Sequence, residues 1–246
     1  MSLLCCLAMT TSNVAFKTNA VTLEVGNIPR VVGTLSSFDY AGEYSCDIVE
    51  VRLDRTENPP DWLEQCKRIQ SSGKPVLLTV RLRAEGGNWE TDDSKRETIY
   101  AEALAVLAAV DVELGSAFCR SVAEEAARLR KACVVSFHNF QKTPPLADLC
   151  ALAEKAMTVG SIAKISTTIN HPEDVAVLRA LLGRQWPKPL CVIGMGKAWA
   201  KTRVEFAALG SCLTYGYLDG SAAPGQLHAA ELSRLVRAAI PPGGKM

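Results

Sequence analysis

The sequence predicts an α/β fold: a (β/α)8 barrel with a short N-terminal β-hairpin closing its bottom. Three observations predict it. Eight short runs of strand character recur along the 246 residues, helical patterns separate most of them, and no Gly-x-Gly-x-x-Gly follows the first run. Strands alternating with helices make a parallel sheet, and eight is the number that closes a TIM barrel. The missing glycine motif weakens the alternative, an open doubly wound sheet that binds a dinucleotide. No linker, low-complexity tract or shift of composition divides the chain. Residues 1–18 therefore read as an N-terminal arm and residues 19–246 as one barrel domain.

In chain order, the arm reads as loose to about Phe16. Val21–Val25 alternates as a strand does and turns at Gly26-Asn27. The eight barrel runs are Arg30–Leu35, Asp47–Asp54, Pro75–Arg83, Val110–Leu114, Ala132–Phe140, Ile162–Thr167, Pro189–Gly196 and Cys212–Tyr217. The connections carry helix starts and apolar stripes. Asn58-Pro59-Pro60 opens a helix with Trp62, Leu63, Cys66 and Ile69 on one stripe. Asp92 and Asp93 open the next, with Ile99, Ala103 and Leu107. Ser121–Lys131 carries Val122, Ala126 and Leu129. Thr143-Pro144 opens one with Leu149, Leu152 and Ala156. Asn170-His171-Pro172 opens one with Val175, Leu178 and Leu182. Thr202–Leu209 is short, and Pro224–Ala238 is the last. The first crossover, Ser36–Ser45, has the weakest helical pattern.

Composition narrows the function. With 27 basic and 26 acidic residues the net charge is +1, so no molecule-wide field attracts nucleic acid or an anionic membrane. The nine cysteines are scattered without a Cys-x-x-Cys pair, which points to a reducing, cytoplasmic setting and no zinc site. The apolar start around Cys5 and Cys6 is short and lacks a basic lead and a clear cleavage site. A cropped signal peptide or a lipid anchor is the lesser alternative. No run is long enough to cross a bilayer.

The strands carry more charge than a parallel sheet covered on both faces should. Those charges keep the two-residue strand period. Val49, Val51 and Leu53 alternate with Glu50, Arg52 and Asp54. Arg81 follows the same rule, as do Asp111, Glu113, His138 and Lys164. If the apolar face meets the helices, the charged face points at the barrel axis. Lys164 lies within Ser161–Thr167, sharing a face with Ile162 and Ser166. A lysine stripped of water in such a strand favours the neutral, nucleophilic amine. Taken alone, Lys164 suits an exposed edge, His138 suits a core histidine, and Glu85 beside Gly86-Gly87 suits a turn. Asp111 and Glu113 read as balancing charges.

Read together, EVRLD at Glu50–Asp54, RLRAEGG with Arg81 and Glu85, SFHNFQKTP around His138, AKIST around Lys164, GMG at Gly194–Gly196, Thr202-Arg203 and APGQ at Ala223–Gln226 resemble type I 3-dehydroquinate dehydratase. The resemblance runs from about Arg30 to Val236. It implies dehydration of 3-dehydroquinate to 3-dehydroshikimate in the shikimate pathway, with no metal and no cofactor, and a homodimer. Carried over by position, it makes Lys164 the Schiff-base lysine, His138 the general acid/base and Glu85 the group that orients it. Glu50, Arg52, Arg81, Arg203 and Gln226 stand at substrate-binding positions. Thr34 stands where a first-strand hydroxyl is expected, and Ala222 where the final loop usually carries serine. Trp199 replaces a glycine and Thr202 a serine, so the approach to Arg203 is expected to differ. The implied chemistry has Arg203 gripping a carboxylate while Arg52 and Arg81 repel charge from Lys164. Two other readings stay open: a class I aldolase, with Gly194–Gly196 as a phosphate cradle, and a non-catalytic metabolite sensor.

Overall fold

Alternation of large apolar residues with polar ones gives each barrel strand two different faces, and the structure uses both. It is a computed structural model, describing residues 12–57, 59–90, 92–220 and 225–240. The expectations placed on Cys5 and Cys6 and on Ala222 lie outside the described residues.

The barrel strands are β3 (Arg30–Leu35), β4 (Ile48–Arg52), β5 (Val76–Thr79), β6 (Ala109–Glu113), β7 (Ala132–Asn139), β8 (Ile162–Thr168), β9 (Leu190–Met195) and β10 (Leu213–Tyr217). They form one parallel sheet in the order β10-β3-β4-β5-β6-β7-β8-β9. Between β9 and β10 the ring nearly closes, where the Cys212 N–H donates to the Leu190 carbonyl at 2.9 Å. The Val192 N–H donates to the Ser211 hydroxyl at the same seam, also at 2.9 Å. The expected strand over 75–83 stops at Thr79, because the chain turns through a 3-10 segment at Arg83–Glu85. Arg81 reaches the interior from beyond the strand end, and Arg83 points outward to an ion pair with Glu90. Asp54 likewise sits in a 3-10 turn, Leu53–Arg55, after β4 has ended.

Seven helices appear among the described residues: α1 (Trp62–Ser71), α2 (Asp93–Val106), α3 (Cys119–Arg128), α4 (Leu146–Val159), α5 (Pro172–Leu182), α6 (Thr202–Ala208) and α7 (Ala229–Ala239). Their starts follow local chemistry. The Asp92 carboxylate accepts from the Ser94 N–H at 2.9 Å and caps α2. The Asp174 carboxylate accepts from the N–H groups of Asn170 and His171 at the head of α5. The last helix begins at Ala229, five residues later than its sequence pattern. His228 is its cap, with Nδ1 accepting from the Ala230 N–H. The first crossover, 36–45, is not helical. Its start is held by the Asp219 carboxylate, which accepts from the N–H groups of Ser36 and Ser37.

Outward-facing Val49, Val51, Leu78, Val80, Val110, Val112, Val135 and Ile165 join the helices in the larger apolar core. Inward-facing Val32, Ile48, Leu77, Val134, Ile162, Cys191 and Leu213 form a second cluster at the amino-terminal end of the barrel. The hairpin β1 (Val14–Lys17) with β2 (Thr22–Val25) completes that cluster, burying Phe16 and Val25 fully. The hairpin thus draws its first strand from residues that the sequence reads as a loose arm. With the bottom plugged by hydrocarbon, the polar interior is confined to the carboxyl ends of the strands, where barrels of this kind place their sites.

Candidate active site

Nine of the ten residues singled out in the sequence line one cavity at that end: Thr34, Glu50, Arg52, Arg81, Glu85, His138, Lys164, Arg203 and Gln226. Its volume is about 540 Å³, counting the part open to solvent. The tenth, Ala222, is outside the described residues.

Lys164 stands on β8 and His138 on β7. In the ladder Ser136 faces Lys164 and His138 faces Ser166. The two side chains therefore share the interior face of adjoining strands, one layer apart. The Lys164 Nζ donates to the Asp111 carboxylate at 2.9 Å, with Glu50 at 4.0 Å. This differs from the sequence expectation. The groups nearest the amine are carboxylates, because the guanidiniums are already engaged. Arg81 is held by Asp111 at 2.7 Å, and Arg52 by Asp54 through two hydrogen bonds. Asp111 is thus a direct partner of the lysine. Burial alone would raise its carboxyl, but Arg81 and then Lys164 outweigh burial and hold it well below the usual carboxylate range.

Glu85 is delivered to His138 by its loop. The loop N–H of Gly87 donates to the Leu82 carbonyl, and a Cβ on Gly87 would lie 2.0 Å from the Arg81 carbonyl oxygen. Gly86 adopts φ +76° and a Cβ there would strike the Phe140 ring. Glu85 is therefore a turn residue whose carboxylate also reaches the histidine, with Oε2 2.9 Å from His138 Nδ1. Burial, followed by the charges of Arg81 and Lys164, pushes the imidazole well below its ordinary value. Burial also pushes the Glu85 carboxyl up to about 7, with Arg81 holding it back in part. A neutral imidazole donating from Nδ1 to Glu85 leaves Nε2 as a free base.

Across the cavity, Arg203 rises from α6. Its guanidinium donates to the carbonyls of Gly225 and Tyr215. No described carboxylate pairs with it, and burial lowers its pKa to about 10. A buried cation compensated only by carbonyls carries an uncancelled charge that is costly to keep dry. Gln226 donates to the Thr34 hydroxyl at 3.2 Å, and Thr34 donates to Glu50 at 2.9 Å. The last loop is in this way tied to the first two barrel strands. Trp199 is not among the described cavity-lining residues. It contributes its carbonyl to the Thr202 hydroxyl at the head of α6.

Sequence reasoning missed four parts of the wall, among them Ile193. Tyr215 places its ring centroid 4.2 Å from Lys164 Nζ. The Phe140 ring lies nearly parallel to the His138 imidazole, 6.1 Å between centroids, at the cavity mouth. Met195, at the end of β9, also lines the cavity. Tyr215 and Phe140 could have been found, since each keeps the two-residue interior period of its strand run.

A family model for type I 3-dehydroquinase matches residues 27–239. The chain belongs to the type I 3-dehydroquinase family. It is 37% identical over 198 residues to a 3-dehydroquinate dehydratase of Pyrobaculum aerophilum, covering 80% of this chain and 65% of that protein, just under two thirds. It is 37% identical over 209 residues to the enzyme of that name from Methanosarcina acetivorans, covering 80% and 86%. Among solved structures, the 3-dehydroquinate dehydratase of Aquifex aeolicus is similar at TM-score 0.75 and 26% identity, over 85% of this chain and 97% of that one. The type I 3-dehydroquinate dehydratase of Clostridium difficile shares the fold at TM-score 0.77 and 21% identity, over 93% and 98%. For a type I 3-dehydroquinase, the distribution of charge here is coherent: one amine, one imidazole and one unpaired guanidinium open onto the same space.

Proposed function

We propose that this type I 3-dehydroquinase dehydrates 3-dehydroquinate to 3-dehydroshikimate through a Schiff base on Lys164. The observation that carries the reading is the placement of Lys164 and His138 on adjoining strands of one cavity that also presents the unpaired Arg203.

Lys164 sheds one proton, its amine adds to the ring ketone, and that proton returns to the carbinolamine oxygen, which leaves as water to give a protonated imine. The imine draws electrons from the adjacent C–H bond. His138 Nε2 takes that proton as its electron pair moves into the enamine. Glu85 stabilises the imidazolium that forms, holding Nδ1–H. The enamine then expels the β-hydroxyl. The departing oxygen takes the proton from His138 and leaves as water. A second water hydrolyses the conjugated imine, returning the Lys164 amine and the product ketone. Arg203 grips the substrate carboxylate through its guanidinium edge, fixing the ring over Lys164. Glu50, Arg52, Arg81 and Gln226, with Thr34, set the polar wall against the ring hydroxyls.

Packing accounts for the first glycine of the aldolase reading's phosphate cradle: a Cβ on Gly194 would lie 2.3 Å from Ile169 Cδ1. Among the described residues no helix is long and apolar enough to cross a membrane. Assembly as a homodimer in the cytoplasm completes the proposal.

Purified protein mixed with 3-dehydroquinate should generate the ultraviolet absorbance of the conjugated product, at a rate proportional to enzyme. Absence of that absorbance, with the protein folded, would overturn the assignment.

A further inference from the structure

Lys164 Nζ touches three things, and only two of them are carboxylates. The third is the face of Tyr215, with the centroid 4.2 Å away, well inside the distance at which a ring quadrupole attracts a cation. Tyr215 comes from β10, is 4% exposed and lines the same cavity. Its hydroxyl has no hydrogen-bond partner among the described residues, so the hydroxyl is not what ties the residue to the lysine. Burial pushes the phenol well above its ordinary pKa. It stays neutral, and an ammonium–phenolate pair is excluded. What Tyr215 offers Nζ is the π face.

We propose that the ring of Tyr215 is a catalytic residue of this site, holding the Lys164 nitrogen while it is positively charged, first as ammonium and then as the protonated imine. The covalent stage of this inference rests on the function proposed above. Its physical basis is the hydrogen count at nitrogen. An ammonium has three N–H donors and can serve Asp111 at 2.9 Å while facing Glu50 at 4.0 Å. Once bonded to the substrate carbon, the nitrogen keeps one N–H, and its charge spreads onto that carbon. A carboxylate hydrogen bond follows a donor, so part of that stabilisation is lost at this step. A ring face needs no donor and attracts spread charge as well as localised charge. The ring therefore counts for more in the intermediate than in the resting enzyme, and this difference lowers the barrier to proton abstraction. A tyrosine present only to fill the wall would have no such preference.

The test keeps the size of the ring and drains its electrons. Tyr215→Phe is the reference, and the same position then carries mono-, di- and trifluorinated phenylalanine in turn. Each is assayed for kcat and KM on 3-dehydroquinate and for the fraction of Lys164 trapped by borohydride at saturating substrate. The expected result is a stepwise fall in kcat totalling about tenfold across the series, with the trapped fraction falling in the same order and KM moving less. Tyr215→Leu should fall at least as far as the trifluorinated protein, with a thermal melt showing that it folds. A flat series would show that the ring only packs and would overturn the inference. Failure of the native chain itself to dehydrate or to be trapped would instead sink the proposed function, so the two failures are distinguishable.

Discussion

Glu85 and His138 share one proton, and the pH at which they gain a second sets the acid side of the reaction. The Glu85 carboxyl is pushed up to about 7, while the imidazole protonates well below its usual range. As a coupled pair they take up the next proton mainly on the carboxylate. The form that supports His138 is the carboxylate, which is the high-pH form, so kcat/KM should rise with pH through about 7. Glu85→Gln keeps an acceptor for Nδ1–H but cannot titrate. It should lower kcat by about 10²-fold and move the acid limb below that of the native chain. A pH–rate profile measures both, and an unmoved limb in the variant would contradict the assignment. At this scale the sequence was informative where residues form local motifs, as at Lys164, His138, Glu85 and Arg203. It was less so where a contact depends on distance across the barrel. Asp111 looked like a balancing charge because nothing local says that it meets Lys164 53 positions away. Tyr215 meets the amine only because the barrel brings β10 across from β8.

Among the elements, the hairpin does the least conspicuous task. By filling the amino-terminal end with Phe16 and Val25 it keeps water from reaching the charged layer from below. Phe16→Ala should cost about 3–5 kcal/mol of stability, read as a fall in the denaturant midpoint. The KM of the folded fraction should change little, because the cavity lies at the opposite end. A neutral effect on stability would mean that the hairpin is not part of the barrel's core. The eight strands were legible as short apolar runs, several with charges at alternate positions, and the helices by their apolar stripes. The first crossover yielded no helix, since the N–H groups of Ser36 and Ser37 are captured by Asp219 from the other end of the sequence. The helix α7 starts later than its pattern for a related reason: the Leu227 carbonyl accepts from the Tyr217 N–H and keeps residues 225–228 out of the helix.

Over the whole molecule, the barrel separates two kinds of interior. Below is hydrocarbon. Above is a chain of alternating charges running from Arg96 on α2 through Glu113 and Arg81 to Asp111 and Lys164. Each charge in that chain has a partner, which is the condition for burying it. Arg203, outside the chain, has no carboxylate partner among the described residues, which is why the proposed function gives it the substrate's anionic group. The sequence showed both signs in similar number on the inward face, but not which pairs would form. Pairing decides that the lysine faces carboxylates and an aromatic ring rather than guanidiniums. The reading rests in the end on a carbon–nitrogen bond to Lys164. Borohydride added to the protein with 3-dehydroquinate, followed by peptide mass spectrometry, should find a reduced adduct on Lys164 alone. An adduct on another lysine, or none while product still accumulates, would contradict it.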